Sequence, residues 1–279
     1  MTTPATTPPR RPIDWNAVKV IMLKDLTAVR RSKGVYLPML MVPVMLLVVV
    51  PLLIDIAAIT RHNFDMADIL QRVPGGLADP ILRLPQKEQL IVLISGYLLA
   101  PMFLIVPMMV SAVLAADTFA GEKDRRTLES LLHLPIGDRE LMLGKVMATF
   151  VPSVAVSWIG FVVYAVISNG VGWSVAHRIF VPTGQWLVLI FWVGPAVAVL
   201  GLGIMVRVSA RARSSQEANQ LGGAVVLPLV FLAVGQSTAL LLVPVLSSVL
   251  FGLVVWVIGL VVLKRGARKF ARDTLATKI

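Results

Sequence analysis

The chain contains no cysteine, so disulfides, thiolate metal sites and thiol chemistry are excluded. Charge is scarce as well. Only 15% of residues are Asp, Glu, Lys or Arg, against about a quarter in soluble domains. His62, His133 and His177 stand far apart, and none pairs with a carboxylate at a metal-binding spacing. A GxxxxGK[ST] phosphate loop is missing. Gly144-Lys145 comes nearest, but Val146 follows it and Arg139 stands where the first glycine belongs. The long apolar runs are almost free of ionisable groups, so no carboxylate pair for a proton relay and no intramembrane acid–base pair is expected. The alternating polarity of a membrane barrel strand is absent too.

What remains is apolar and continuous. The 279 residues are 57% hydrophobic with a mean hydropathy of +0.84. Runs rich in Leu, Val, Ile and Met satisfy their backbone inside a membrane only as helices. The predicted fold is therefore all-α: a polytopic membrane protein with six spans, at about 35–59, 89–116, 146–168, 185–206, 219–241 and 243–263. From Leu221 to Leu263 no charge occurs. One helix of that length would reach about 65 Å, twice the apolar core, so the chain must turn back. Gln236-Ser237-Thr238 and Pro244 mark the turn, and a re-entrant segment in place of the fifth span is the open alternative. Residues 1–12, rich in Pro and Thr, read as a disordered tail rather than a signal peptide.

The net charge of +11 reads as an orientation signal, not as nucleic-acid binding. With six spans, 21 of the 26 Lys and Arg fall on the side of the termini. Only Arg61, Arg72, Arg83, Lys87 and Arg178 fall on the other. The positive-inside rule then places both termini in the cytoplasm, and the basic tail 264–279 with them. Residues 60–88 and 169–184 become outside connections, with Trp173 and Trp186 expected at the outer interface.

Residues 13–33 predict an amphipathic helix lying in the membrane surface. Ile13, Trp15, Val18, Met22, Leu26 and Val29 share one face, Lys19, Asp25, Arg30 and Lys33 fall elsewhere, and Gly34 serves as the break. Residues 117–145 form a charged island between the second and third spans. Leu128, Leu131 and Leu132 share one face of a short helix, Pro135 and Gly137 stop it, and Asp138 caps the next. Such a leucine face either lies on the lipid or its own bundle, or inserts into a groove of another protein.

The segment FAGEKDRRTLESLLHLPIGDRELMLGK resembles the cytosolic loop of type-2 ATP-binding-cassette permeases. Gly121, Glu122, Lys123, Arg125, Thr127, Leu128, Glu129, Leu131, Leu132, Pro135, Arg139, Glu140, Leu141, Gly144 and Lys145 match that pattern. Arg126 replaces its usual glycine, and His133-Leu134 its usual small or polar pair. The basic entry helix and residues 207–221 match more weakly. The resemblance implies a transport subunit without a nucleotide site or cofactor of its own, in a cell's inner membrane. It implies a partnership with two copies of an ATPase that binds ATP and Mg, and with a second permease copy or a relative. The loop would be the coupling helix, with Gly121, Glu122, Arg125, Thr127, Leu128, Leu131 and Leu132 at the ATPase.

An exporter of a hydrophobic or amphipathic substrate fits a pathway with few charges. Candidate pathway groups are Asp55, Tyr97, Ser111, Ser153, Ser157, Gln236 and Thr238. Asp55 is the one clear charge in a span, placed near its outer end, where interfacial water is expected to reach it. A secondary transporter or channel working without an ATPase is the alternative.

Overall fold

The computed structural model describes residues 12–60, 79–100, 102–124, 136–212, 214–224 and 245–269. These residues hold helices and no strand. A first helix, α1 (Trp15–Arg31), precedes five helices long and apolar enough to cross a membrane. They are α2 (Lys33–Ala57), α3 (Glu88–Ala120), α4 (Asp138–Ala176), α5 (Gly184–Ser209) and α6 (Val245–Lys269). Of the expected fifth span, 219–241, only residues up to 224 are described, and they are helical. The rest of it, with Gln236, Thr238 and the expected turn, lies outside the described residues.

Burial sorts the helices into two classes. The apolar stretches of α3 and α5 are 75% and 72% buried, whereas those of α2, α4 and α6 are 24%, 28% and 22% buried. The two central helices pack on each other; α4 lies against α3, α6 against α5, and α2 against α4. The flanking helices leave large apolar side chains outside, among them Leu53, Ile159, Val166 and Leu246. A water-soluble chain would bury such faces, whereas a lipid-facing one has no reason to.

Small residues set the closest crossings. A Cβ at Gly203 would fall 2.8 Å from the backbone nitrogen of Leu263, and one at Gly259 3.1 Å from that of Leu200. Two glycines thus bring α5 and α6 into backbone contact. The Ser248/Gly252 step of α6 faces the same way, with Gly252 against Trp192 and Val193.

Two boundaries and the place of one tryptophan differ from the sequence expectation. A helix capped by Asp138 is expected to run on into a third span ending at 168; Gly137 is the cap instead, Asp138 is the first residue of α4, and the helix continues to Ala176, 39 residues in all. At 1.5 Å per residue that is about 58 Å, well beyond an apolar core of about 30 Å. Hydropathy marks where lipid is tolerated, whereas helix length follows unbroken backbone bonding. α1 ends at Ser32, whose extended backbone (φ −88°, ψ 97°) makes the hinge, and Gly34 already belongs to α2. Trp186, expected at the interface, is fully buried. Its indole N–H donates to the Gly96 carbonyl at 2.8 Å.

The start of α1 follows its sequence closely. Asp14 caps it, its carboxylate accepting from the N–H groups of Asn16 (2.9 Å) and Ala17 (3.3 Å). Its buried stripe is Val18, Ile21, Asp25 and Val29, and it packs along the first turns of α4. Contact is possible there because position 144 is glycine: a Cβ would lie 2.7 Å from the Ile21 side chain and 3.1 Å from the Val18 carbonyl. Gly144→Val should therefore force α1 off α4 and cost about 1–3 kcal/mol of stability. The check is thermal unfolding of the purified chain, with Gly144→Ala giving a smaller loss.

Candidate functional site

The charged island is rooted in a buried ion cluster. Glu122, in the helical turn Gly121–Asp124 that follows α3, and Lys145, in the second turn of α4, are 7% and 2% exposed. Their Oε2 and Nζ lie 2.5 Å apart. From α1, Lys24 donates to Glu122 Oε1 at 3.0 Å and lies 3.1 Å from Asp25. Asp25 in turn lies 3.9 Å from Lys145. Two cations and two carboxylates thus balance one another; Lys145, Glu122 and Asp25 do so in little water, while Lys24 closes the cluster from the exposed side. Burial alone would lower the pKa of Lys24, but the attraction of Asp25 and Glu122 outweighs it and holds the ammonium above its ordinary value.

Lys145 has a further partner that explains its depth. Residues Ala116–Ala120 of α3 form a π-helical turn, which interrupts the normal i to i+4 bonding. Lys145 Nζ donates to the Thr118 carbonyl of that turn at 3.0 Å and sits 5.6 Å from the centre of the Phe119 ring. The Gly144-Lys145 pair thus does two jobs in adjacent residues. Glycine admits α1, and lysine ties α1 and α3 together.

The other end of the same helix pair repeats this device. Residues Ile94–Leu98 of α3 form a second π-helical turn. Tyr164 of α4 donates its hydroxyl to the Ser95 carbonyl at 2.6 Å, while Trp186 of α5 takes the Gly96 carbonyl. Phe103, Phe161, Tyr164 and Trp186 pack as one aromatic cluster, with Phe103 edge-on to Tyr164 at 4.7 Å and to Trp186 at 5.0 Å. Into this region comes Asp55 from α2. Its carboxylate accepts from the hydroxyls of Ser95 and of Ser168, the latter at 2.7 Å. Asp55 is 0% exposed, so the expected access to interfacial water is corrected. α3 and α4 close over it and supply hydroxyl donors in place of water.

The sequence-predicted residues divide as follows. Gly121 and Glu122, expected at an ATPase surface, are buried within this chain. Arg125, Thr127, Leu128, Leu131 and Leu132 lie outside the described residues, as do Gln236 and Thr238. Tyr97 is half-buried. Ser111 donates to the Met108 carbonyl of its own helix and lies under Gly201, a helix-packing position. Ser153 donates to the Thr149 carbonyl at 2.5 Å, and Ser157 is buried on the same helix. Among the described candidates the structure gathers no substrate-lined chamber. It singles out Asp55.

Asp25, Ser95 and Ser168 escaped the sequence reading as site residues. Asp25 had one signal, a carboxylate on the stripe of Val18, Ile21 and Val29. The two serines had none, since short hydroxyl residues are common throughout the spans.

A root in which three helices are pinned beneath one loop suits a device that moves them together. The model of the family described as ABC-2 family transporter protein matches residues 19–241. The chain belongs to the ABC-2 transporter family. A comparison with curated proteins gives no match. As a member of this family the chain is a membrane permease, a transport subunit rather than the ATPase itself, and it passes the membrane several times. The match begins inside α1 and takes in every member of the ion cluster.

In the permease, removing one member of a buried pair strands the other. Lys145→Met should lower stability by about 3–5 kcal/mol. Adding Glu122→Met should recover most of that loss, because Asp25 then keeps Lys24. Chemical unfolding of the single and double variants measures both, and equal losses would show that the pair is not coupled.

Proposed function

We propose that the permease is driven by a separate ATPase seated on the loop that joins α3 to α4, and that the ion cluster carries the motion into the bundle. The carrying observation is that the buried Lys145 binds both stems of this loop to each other and to α1 through Glu122 and Asp25, which are buried with it. A pull on the loop then moves α1, α3 and α4 as a body, because parting them would expose unpaired charge in a dry site. Leu128, Leu131 and Leu132 are the greasy edge that an ATPase groove would hold, with Arg125 and Thr127 beside it. Gly121 and Glu122 set the loop's root rather than its contact face.

The remaining parts of the proposal follow from the sequence. Six spans, with residues 219–241 as the fifth, leave both termini and the loop in the cytoplasm of a cell whose inner membrane holds the protein. α1, with Trp15 and Leu23 exposed, lies along the inner leaflet. Two permease chains and two ATPase subunits form the working particle, ATP and Mg belong to the latter, and the cargo is a hydrophobic or amphipathic molecule moved outward.

Aspartate at Leu128 and Leu131 together should release the ATPase without unfolding the bundle. The expected result is loss of co-purification with an unchanged melting curve. Normal assembly and normal substrate-stimulated hydrolysis in that variant would reject docking through the loop.

A further inference from the structure

We propose that the Asp55–Ser95–Ser168 contact is a latch that opens and closes in each transport cycle, and that α2 is the moving outer gate it holds. The inference rests on the permease function proposed above and adds the part that moves at the far end.

α2 is weakly held for its length. Its apolar stretch is only 24% buried, and its outward face carries Leu37, Met41, Val44 and Leu53. Its lower end joins α1 through Ser32, which is extended and gives α2 no side-chain cap. That joint permits a swing. The helix also carries its own π-helical turn at Met45–Val49, a local irregularity of the kind found at moving sites. α3 has π turns too, but there the Ser95 and Gly96 carbonyls are bonded by Tyr164 and Trp186, and α3, α4 and α5 share the aromatic cluster. A firm frame therefore faces a hinged helix.

The fastening between them is polar. Asp55 is the only acidic residue of α2, and it is fully enclosed. Ser95 reaches it from α3 and Ser168 from α4, so one side chain closes a three-helix contact. In lipid, apolar side chains gain little by choosing a protein neighbour over a lipid tail, whereas hydrogen-bonding groups must find partners. A bond of carboxylate to hydroxyl can be exchanged for a bond to water when a path to the outside opens. It is thus secure while dry and released when wetted. Ser95 is set for this by its place in the π turn, where Tyr164 fixes its carbonyl while its hydroxyl faces Asp55. The same end of the bundle carries the exposed Glu88–Arg178 pair at 3.0 Å, joining the start of α3 to the segment after α4. That pair ties frame to frame and leaves α2 free of it.

The chain's lack of cysteine makes the test direct. Asp55→Cys with Ser168→Cys places two thiols across the latch in the full chain, assembled with its ATPase in lipid nanodiscs. Oxidation to the crosslink should lower ATP hydrolysis at least tenfold, and reduction should restore it. A fixed structural tie would tolerate the crosslink, so full hydrolysis in the oxidised particle overturns the latch.

A second measurement leaves Asp55 native. Spin labels at the exposed Leu53 and Val166, on α2 and α4, should give one distance without nucleotide and a longer one with nucleotide trapped. A single unchanged distance in a hydrolysing particle overturns the proposal. Failure of any ATPase to assemble strikes the coupling instead, so the two ideas fail separately.

Discussion

The bundle depends on one constraint: polar groups buried along α3 have to be met by donors from its neighbours. Two π-helical turns, at Ile94–Leu98 and Ala116–Ala120, offer carbonyls that the helix itself leaves available. In a membrane such groups cannot turn to water. Tyr164 and Lys145 of α4 answer them at the two ends, and Trp186 of α5 adds a third bond. The register of α3 against α4 follows, since sliding either helix by one turn would strand several polar groups together.

Each of these points gathers a further helix. At one end the Lys145 ammonium also draws Glu122 and Asp25, which brings α1 into the crossing. At the other, Ser95 and Ser168 receive Asp55, which brings in α2. The two sites differ in chemistry, and that suits different tasks. Full charges at close range in little water resist separation and make a stiff joint. Hydroxyls on a single carboxylate give a joint that water can replace. A stiff root and a releasable tip on one helix pair are what a lever needs if it is pushed at one end and opens at the other.

The family match gives this mechanical description its setting. Permeases of this family typically work with an ATPase partner, and in the proposal made above the charged island is the part that meets it. Gly144 and Lys145 acquire a physical meaning within the family pattern. One removes a side chain so that α1 can lie 2.7 Å from where a Cβ would be, and the other fills the gap beyond with a charge that three helices share.

Composition and periodicity by themselves determined the helical class and the membrane setting, because both follow from local rules of hydropathy. The continuation of α4 past 168 to Ala176 escaped them, since an unbroken backbone ignores where polarity begins. The enclosure of Asp25, Asp55 and Trp186 escaped them more sharply. A carboxylate on a helix reads as solvent-facing and a tryptophan near a span end as interfacial, and only the approach of Lys145, Ser168 and the Gly96 carbonyl from distant parts of the chain reversed both. What the tertiary structure decided was which polar groups are enclosed, because enclosure depends on partners that lie 90 or more residues away in sequence for Trp186, Glu122 and Asp55 alike.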